Sequence, residues 1–143
     1  MEMTSKNGFV SVETDKFEHR RVMPHFINDC CFGEDFAAWL KKQIASRCPI
    51  KFNLSEIIQE DYGWGFWVSN GPDQFWVAVS YVGNGPQEPP AQWVISAKYD
   101  PGLNIAKRIF HKPDKVNLQA LRDCVMHAIQ SDPTIKMVPM PEY

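Results

Sequence analysis

A surplus of positive charge is missing from this sequence. Its 143 residues hold 15 Lys and Arg against 17 Asp and Glu, a formal charge of −2 with a pI near 6.1. Duplex nucleic-acid binding needs a basic footprint, so no nucleic-acid partner is expected. The clusters His19-Arg20-Arg21 and Lys107-Arg108 are too short to supply one and read as solvated surface. Long apolar runs are missing too. Nothing approaches the ~18 residues that a spanning helix requires, and no membrane partner is expected. The first fifteen residues are mostly polar, without the apolar stretch of a secretion signal. The expectation is a cytoplasmic protein whose four cysteines, Cys30, Cys31, Cys48 and Cys124, stay reduced.

Catalytic motifs are sparse. Gly63-x-Gly65 lies in a strand region without the helix that a phosphate-binding loop would lead into. No serine occupies a nucleophile elbow. There is no internal repeat and no low-complexity tract. These gaps lean the reading away from an enzyme without closing that case, and no cofactor is expected.

Aromatic residues are abundant. Five Trp, nine Phe and four Tyr make up 13% of the chain. Such side chains carry large buried area and suit pleated sheets. The length is that of one domain, so residues 1–143 are taken as a single α+β unit with residues 1–7 as a frayed end.

Periodicity outlines the elements. Phe9, Val10 and Val12 suggest a short strand. Residues 15–32 resist assignment, because Pro24 sits among Val22, Met23, Phe26 and Ile27. A helix is expected over Glu34 to Arg47, with acids at its start, the stripe Phe36, Leu40 and Ile44, and a stop at Cys48-Pro49. Ile57-Ile58, Trp64 to Ser69, Phe75 to Val82 and Trp93 to Tyr99 read as strands. Asn70 to Asp73 is expected as a four-residue hairpin loop, with Pro72 suited to a type I turn. Ile105 to Phe110 suggests a further strand, Leu118 to Gln130 a second helix capped by Asn117, and Ile135 to Val138 an edge strand. The sum is a two-layer sandwich: an antiparallel meander of about four or five strands with two helices on one face.

The hairpin sets two faces. With Ser69 opposite Gln74, alternation puts Trp64, Phe66, Val68, Phe75, Val77, Val79 and Tyr81 under the helices. Gly65, Trp67, Trp76, Ala78 and Ser80 then lie on the far face, with two tryptophans side by side. A one-residue slip would exchange the faces. Three things could cover the tryptophans. One is the N-terminal segment or the Pro-rich 83–92 connection. Another is a second subunit, and the third a ligand for which Gly65 and Ala78 leave room.

Other groups carry weaker chemistry. Glu60 and Asp61 point to opposite faces if extended and read as a solvated strand start. His19, His25, Cys30 and Cys31 share a short window, but their spacing fits no familiar zinc site, so no metal is expected. Cys124 and His127 are three apart on the second helix, and packing is the plainer role for the cysteine. His111 reads as an exposed loop residue.

The run Glu60-Asp61-Tyr62-Gly63-Trp64-Gly65-Phe66-Trp67-Val68, followed by Phe75-Trp76-Val77, resembles small uncharacterised bacterial proteins of the mobile gene pool, including integron gene-cassette and immunity-like proteins. The resemblance covers the middle third of the chain and transfers no catalytic residue. It implies a free-standing cytoplasmic bacterial protein, often oligomeric. The leading expectation is therefore a binding or interaction module that forms a homodimer, or binds a partner, through Trp67, Trp76, Gly65 and Ala78. The alternative is a small enzyme or ligand-binding protein with a pocket formed by the sheet, the 83–92 loop and the N-terminal segment.

Overall fold

The computed structural model describes residues 8–27, 31–82, 90–102 and 105–141. In chain order these form β1 (Phe9–Glu13), α1 (Glu34–Arg47), β2 (Asn53–Leu54), β3 (Ile58–Glu60), β4 (Gly63–Asn70), β5 (Asp73–Tyr81), β6 (Gln92–Tyr99), α2 (Ile105–Phe110), α3 (Lys115–Gln130) and β7 (Lys136–Val138). The expected frayed end, residues 1–7, lies outside the described residues.

The alternating apolar pattern of the middle third builds the sheet. β4 and β5 pair antiparallel with Trp67 opposite Trp76 and Ser69 opposite Gln74, the register the sequence predicts. The turn between them is tighter than expected. Asn70 and Asp73 are themselves paired, which leaves only Gly71 and Pro72 as the loop. Gly71 takes φ +60, as the first central residue of a II′ hairpin turn must, so Pro72 fills the second central position instead of leading a type I turn.

Among the described residues the sheet has seven strands in the order β2-β4-β5-β6-β1-β7, with β3 also on β4. All pairings are antiparallel. The sequence expectation of four or five strands undercounts because the outer strands are fragments. β2 and β3 are two pieces of one broken edge; β3 takes up the strand expected at Ile57-Ile58, whereas the two-residue β2 is too short to show a period. The edge strand expected at Ile135 to Val138 is β7.

The expected strand at Ile105 to Phe110 is instead the short helix α2. β6 already pairs with β5 on one edge and with β1 on the other, so no ladder position beside it was free. α1 matches its expected bounds. It buries Phe36, Ala37, Leu40 and Ile44, and ends where Cys48 turns extended before Pro49. α3 begins at Lys115, earlier than its apolar stripe implies. Asp114, not Asn117, is its cap and accepts from the backbone N–H groups of Val116 and Asn117.

α1 packs on β4 and β5, α3 packs on β6 and β7, and the two helices pack on each other. The core beneath them contains the seven expected residues of the inner face together with Trp93, Ile95, Val10 and Val12. Residues 14–27 and 31–33 form no helix or strand but still feed this core, with Phe17 stacked on Phe36 at 4.1 Å and Phe32 buried. Where the end of α1 meets α3, Cys48 and Cys124 form a disulfide with Cα atoms 5.6 Å apart. That separation lies within the span a disulfide bridges. The bridge overturns the expectation that these two thiols stay reduced; helix packing has brought together residues 76 apart in sequence. Among the described residues, no helix is long and apolar enough to cross a membrane.

Candidate functional site

The face of the sheet turned away from α1 and α3 carries the candidate site. Strand alternation and register place Trp67, Trp76, Ala78, Ser80, Val94, Ser96 and Lys98 there, with Phe9 and Ser11 from β1. The Trp67 and Trp76 rings meet with centroids 4.8 Å apart at 58°. Both side chains remain partly exposed. All four expected site residues are therefore neighbours on one face, since Gly65 and Ala78 pair directly across the two strands.

Gly65 and Ala78 are buried, and the space above Gly65 is filled. A Cβ at Gly65 would stand 2.5 Å from Cζ2 of Trp76 and equally close to the Val77 carbonyl oxygen. The glycine thus lets the Trp76 ring lie across the strand rather than making room for a ligand.

Tyr62, in the turn before β4, completes the arrangement. Its hydroxyl accepts the Trp76 indole N–H at 2.6 Å. Burial pushes the Tyr62 phenol pKa up; the Trp76 hydrogen bond works against that and the charges of Glu60 and Asp100 add to it. The phenol therefore stays neutral well above physiological pH. With the Trp76 donor engaged by Tyr62, the surface that ring offers is apolar. The rim is charged. Lys98 places its ammonium 3.9 Å from the centroid of the Phe9 ring, and Glu60 stands at the end of β3.

A second constellation, which sequence reasoning missed, lies at the β4–β5 turn. Asp73 is buried and accepts from His111 Nε2 at 2.7 Å, Asn117 Nδ2 at 3.0 Å and the Asp114 backbone N–H at 3.0 Å. Burial would raise the Asp73 pKa, but the hydrogen bonds from Asn117, His111 and Asp114 outweigh it and hold the carboxyl below its ordinary range. The Tyr99 ring lies 6.0 Å from the His111 ring, and burial raises its phenol pKa, helped by Asp73 and Asp100. One carboxylate thus gathers three donors from residues 111–117, which fixes where α2 ends and α3 begins. His111 is this partly buried anchor and not the exposed loop residue expected. No linear signal joins residues 38 apart in sequence.

The expected metal window does not converge. His19 is buried with Nε2 2.9 Å from Asp15, whereas His25 lies against Glu34 at 2.6 Å. Cys31 is disulfide-bonded, not the reduced thiol expected, so it has no thiolate to offer a metal; Cys30 lies outside the described residues. Among the described residues, no three His, Cys, Asp or Glu side chains gather as a metal site. Cys124 is tied into its disulfide, and His127 Nδ1 meets Arg47 Nη1 at 3.2 Å, so the two do not form a nucleophile pair. Most of the 83–92 connection, residues 83–89, lies outside the described residues. Its end is anchored, with the Ala91 N–H donating to Asp15 at 3.0 Å.

No protein-family model, curated protein or solved structure matches this chain.

Proposed function

We propose that the protein is an interaction module that self-associates through the outer face of its sheet, centred on Trp67 and Trp76. The observation that carries the reading is the partly exposed pair of tryptophans in ring contact on the face opposite both long helices. Large aromatic rings are typical anchors of protein interfaces. The rim carries charges of both signs, Lys98 and Glu60, as a patch that must meet its own copy across a two-fold axis requires.

Size-exclusion chromatography with light scattering tests the reading. The wild type is expected as a dimer. Trp67→Ala, and separately Ser96→Arg, which leaves the core and both tryptophans in place, should give folded monomers. A wild type that stays monomeric at high concentration sinks the proposal. Native mass spectrometry of that monomer then checks the alternative, since a retained small molecule would point to a ligand-binding protein.

A cytoplasmic bacterial setting, of the kind the mobile-gene-pool resemblance implies, belongs to the same proposal. The Cys48–Cys124 bridge weighs against it, because disulfides persist mainly in oxidising compartments. Alkylation of free thiols in intact producing cells decides between them.

A further inference from the structure

The corner formed by α2 and the start of α3 departs from the rest of the surface in two ways. First, it exposes large apolar side chains close together in sequence. Ile109 is 67% exposed, Phe110 83% and Val116 71%. Among the described residues, no strand or other helix packs extensively against α2, so Ile109 and Phe110 are not the outer half of a local core; Val116 projects from the first turn of α3. Val116 also lines a groove of about 890 Å³, with Leu118 and Ala120 and with the charged side chains of Lys112, Lys115, Arg122 and Asp123. Second, the charge is reversed. The whole chain is at −2, yet residues 105–116 carry Lys107, Arg108, Lys112 and Lys115 against Asp114 alone. Lys112 and Lys115 are exposed.

We propose that this corner docks onto anionic phospholipid bilayers, with Ile109, Phe110 and Val116 entering the interfacial layer and Lys112 and Lys115 meeting the headgroups. A bilayer interface accepts projecting apolar side chains without a matching pocket and rewards neighbouring cations. A protein partner would need concavities shaped for Phe110 and Ile109, whereas a lipid surface needs none. His111 directly follows α2 and is held to buried Asp73 at 2.7 Å, so the apolar tip is fixed to the end of the sheet. This attachment is peripheral and requires no spanning helix.

The test is co-sedimentation of the full chain with phosphatidylcholine vesicles, with and without added phosphatidylglycerol, at low and at physiological salt. Binding is expected only with phosphatidylglycerol, and should weaken as salt screens the lysines. Phe110→Ser removes the inserted ring and Lys112→Glu with Lys115→Glu reverses the charge; each should weaken binding by about ten-fold or more. All these side chains are exposed, so an unchanged melting temperature is expected and controls for folding. Absence of binding to phosphatidylglycerol vesicles at low salt overturns the proposal. So does binding that survives Phe110→Ser and is lost only on lysine reversal, because that behaviour is electrostatic adsorption without insertion of the apolar tip.

Discussion

Trp76 lies across Gly65 and hands its only polar hydrogen to the hydroxyl of Tyr62, at 2.6 Å. The relationship leaves the Trp76 ring without a free side-chain donor and gives it one orientation. Tyr62→Phe removes the acceptor while keeping the ring. Because the site is half open, water takes up the freed N–H, and the cost should be about 1 kcal/mol in chemical denaturation. Tryptophan emission should change as the indole exchanges a phenol for solvent. An unchanged spectrum and midpoint would mean that the hydrogen bond does not hold Trp76.

Gly65→Ala tests the close approach itself. The added Cβ would meet both the Trp76 ring and the Val77 carbonyl at 2.5 Å, and the carbonyl belongs to a paired strand that cannot step aside. A loss of about 1–3 kcal/mol is expected from overpacking, with Trp76 displaced from the strand. Gly71→Ala is the useful contrast. Its Cβ meets nothing within 4 Å, so any cost there is backbone strain from φ +60 alone.

Asp73 should show in the acid limb of stability. Its folded pKa lies below its ordinary value of 3.8. A group depressed in the folded state contributes stability that is fully present above the unfolded pKa and is lost as pH falls through the folded one. Stability should therefore drop as pH falls below about 4. Asp73→Asn should lower stability at neutral pH by about 3 kcal/mol, because an amide cannot accept from three donors at once, and should flatten this limb. Equal acid sensitivity in both proteins would assign the limb to other carboxylates. Asp132, held down to about 2 chiefly by Lys16, is the first to examine.

The Cys48–Cys124 bridge closes a long loop and ties α1 to α3. Reduction, or the double replacement by Ser, should cost about 2–4 kcal/mol. The expected readout is a lower thermal midpoint in dithiothreitol, with both helices retained by circular dichroism. An unchanged midpoint would show that helix packing alone sets the contact.

Much of the architecture could be read without coordinates, for identifiable reasons. α1 has acids at its start, a four-residue apolar rhythm and a Cys48-Pro49 stop, and its bounds follow from these. The β4–β5 register followed from two long alternating runs joined by a Gly-Pro turn, and from it came the placement of Trp67 beside Trp76. Short segments could not be read this way. Ile105 to Phe110 spans less than two helical turns, and its apolar residues fit either period. What decided it was that both edges of β6 were already occupied.

The partners of the buried polar groups were equally invisible. Asp73 sits in a turn and His111 before a Lys-Pro pair, positions where both residues are normally solvated. Only the docking of the 111–117 segment against the hairpin makes one the anchor of the other. Cys48 and Cys124 meet for the same reason, on facing helices.

The sequence by itself therefore determined the α+β class, the long elements and the two faces of the central hairpin, because each follows from periodicity within a few consecutive residues. Tertiary structure alone decided the two-residue strand β2, the helical state of α2, the Cys48–Cys124 disulfide and the Asp73–His111 anchor. Each of those depends on which backbone edges and side chains are left unpartnered after distant segments pack, and that choice leaves no local trace in the chain.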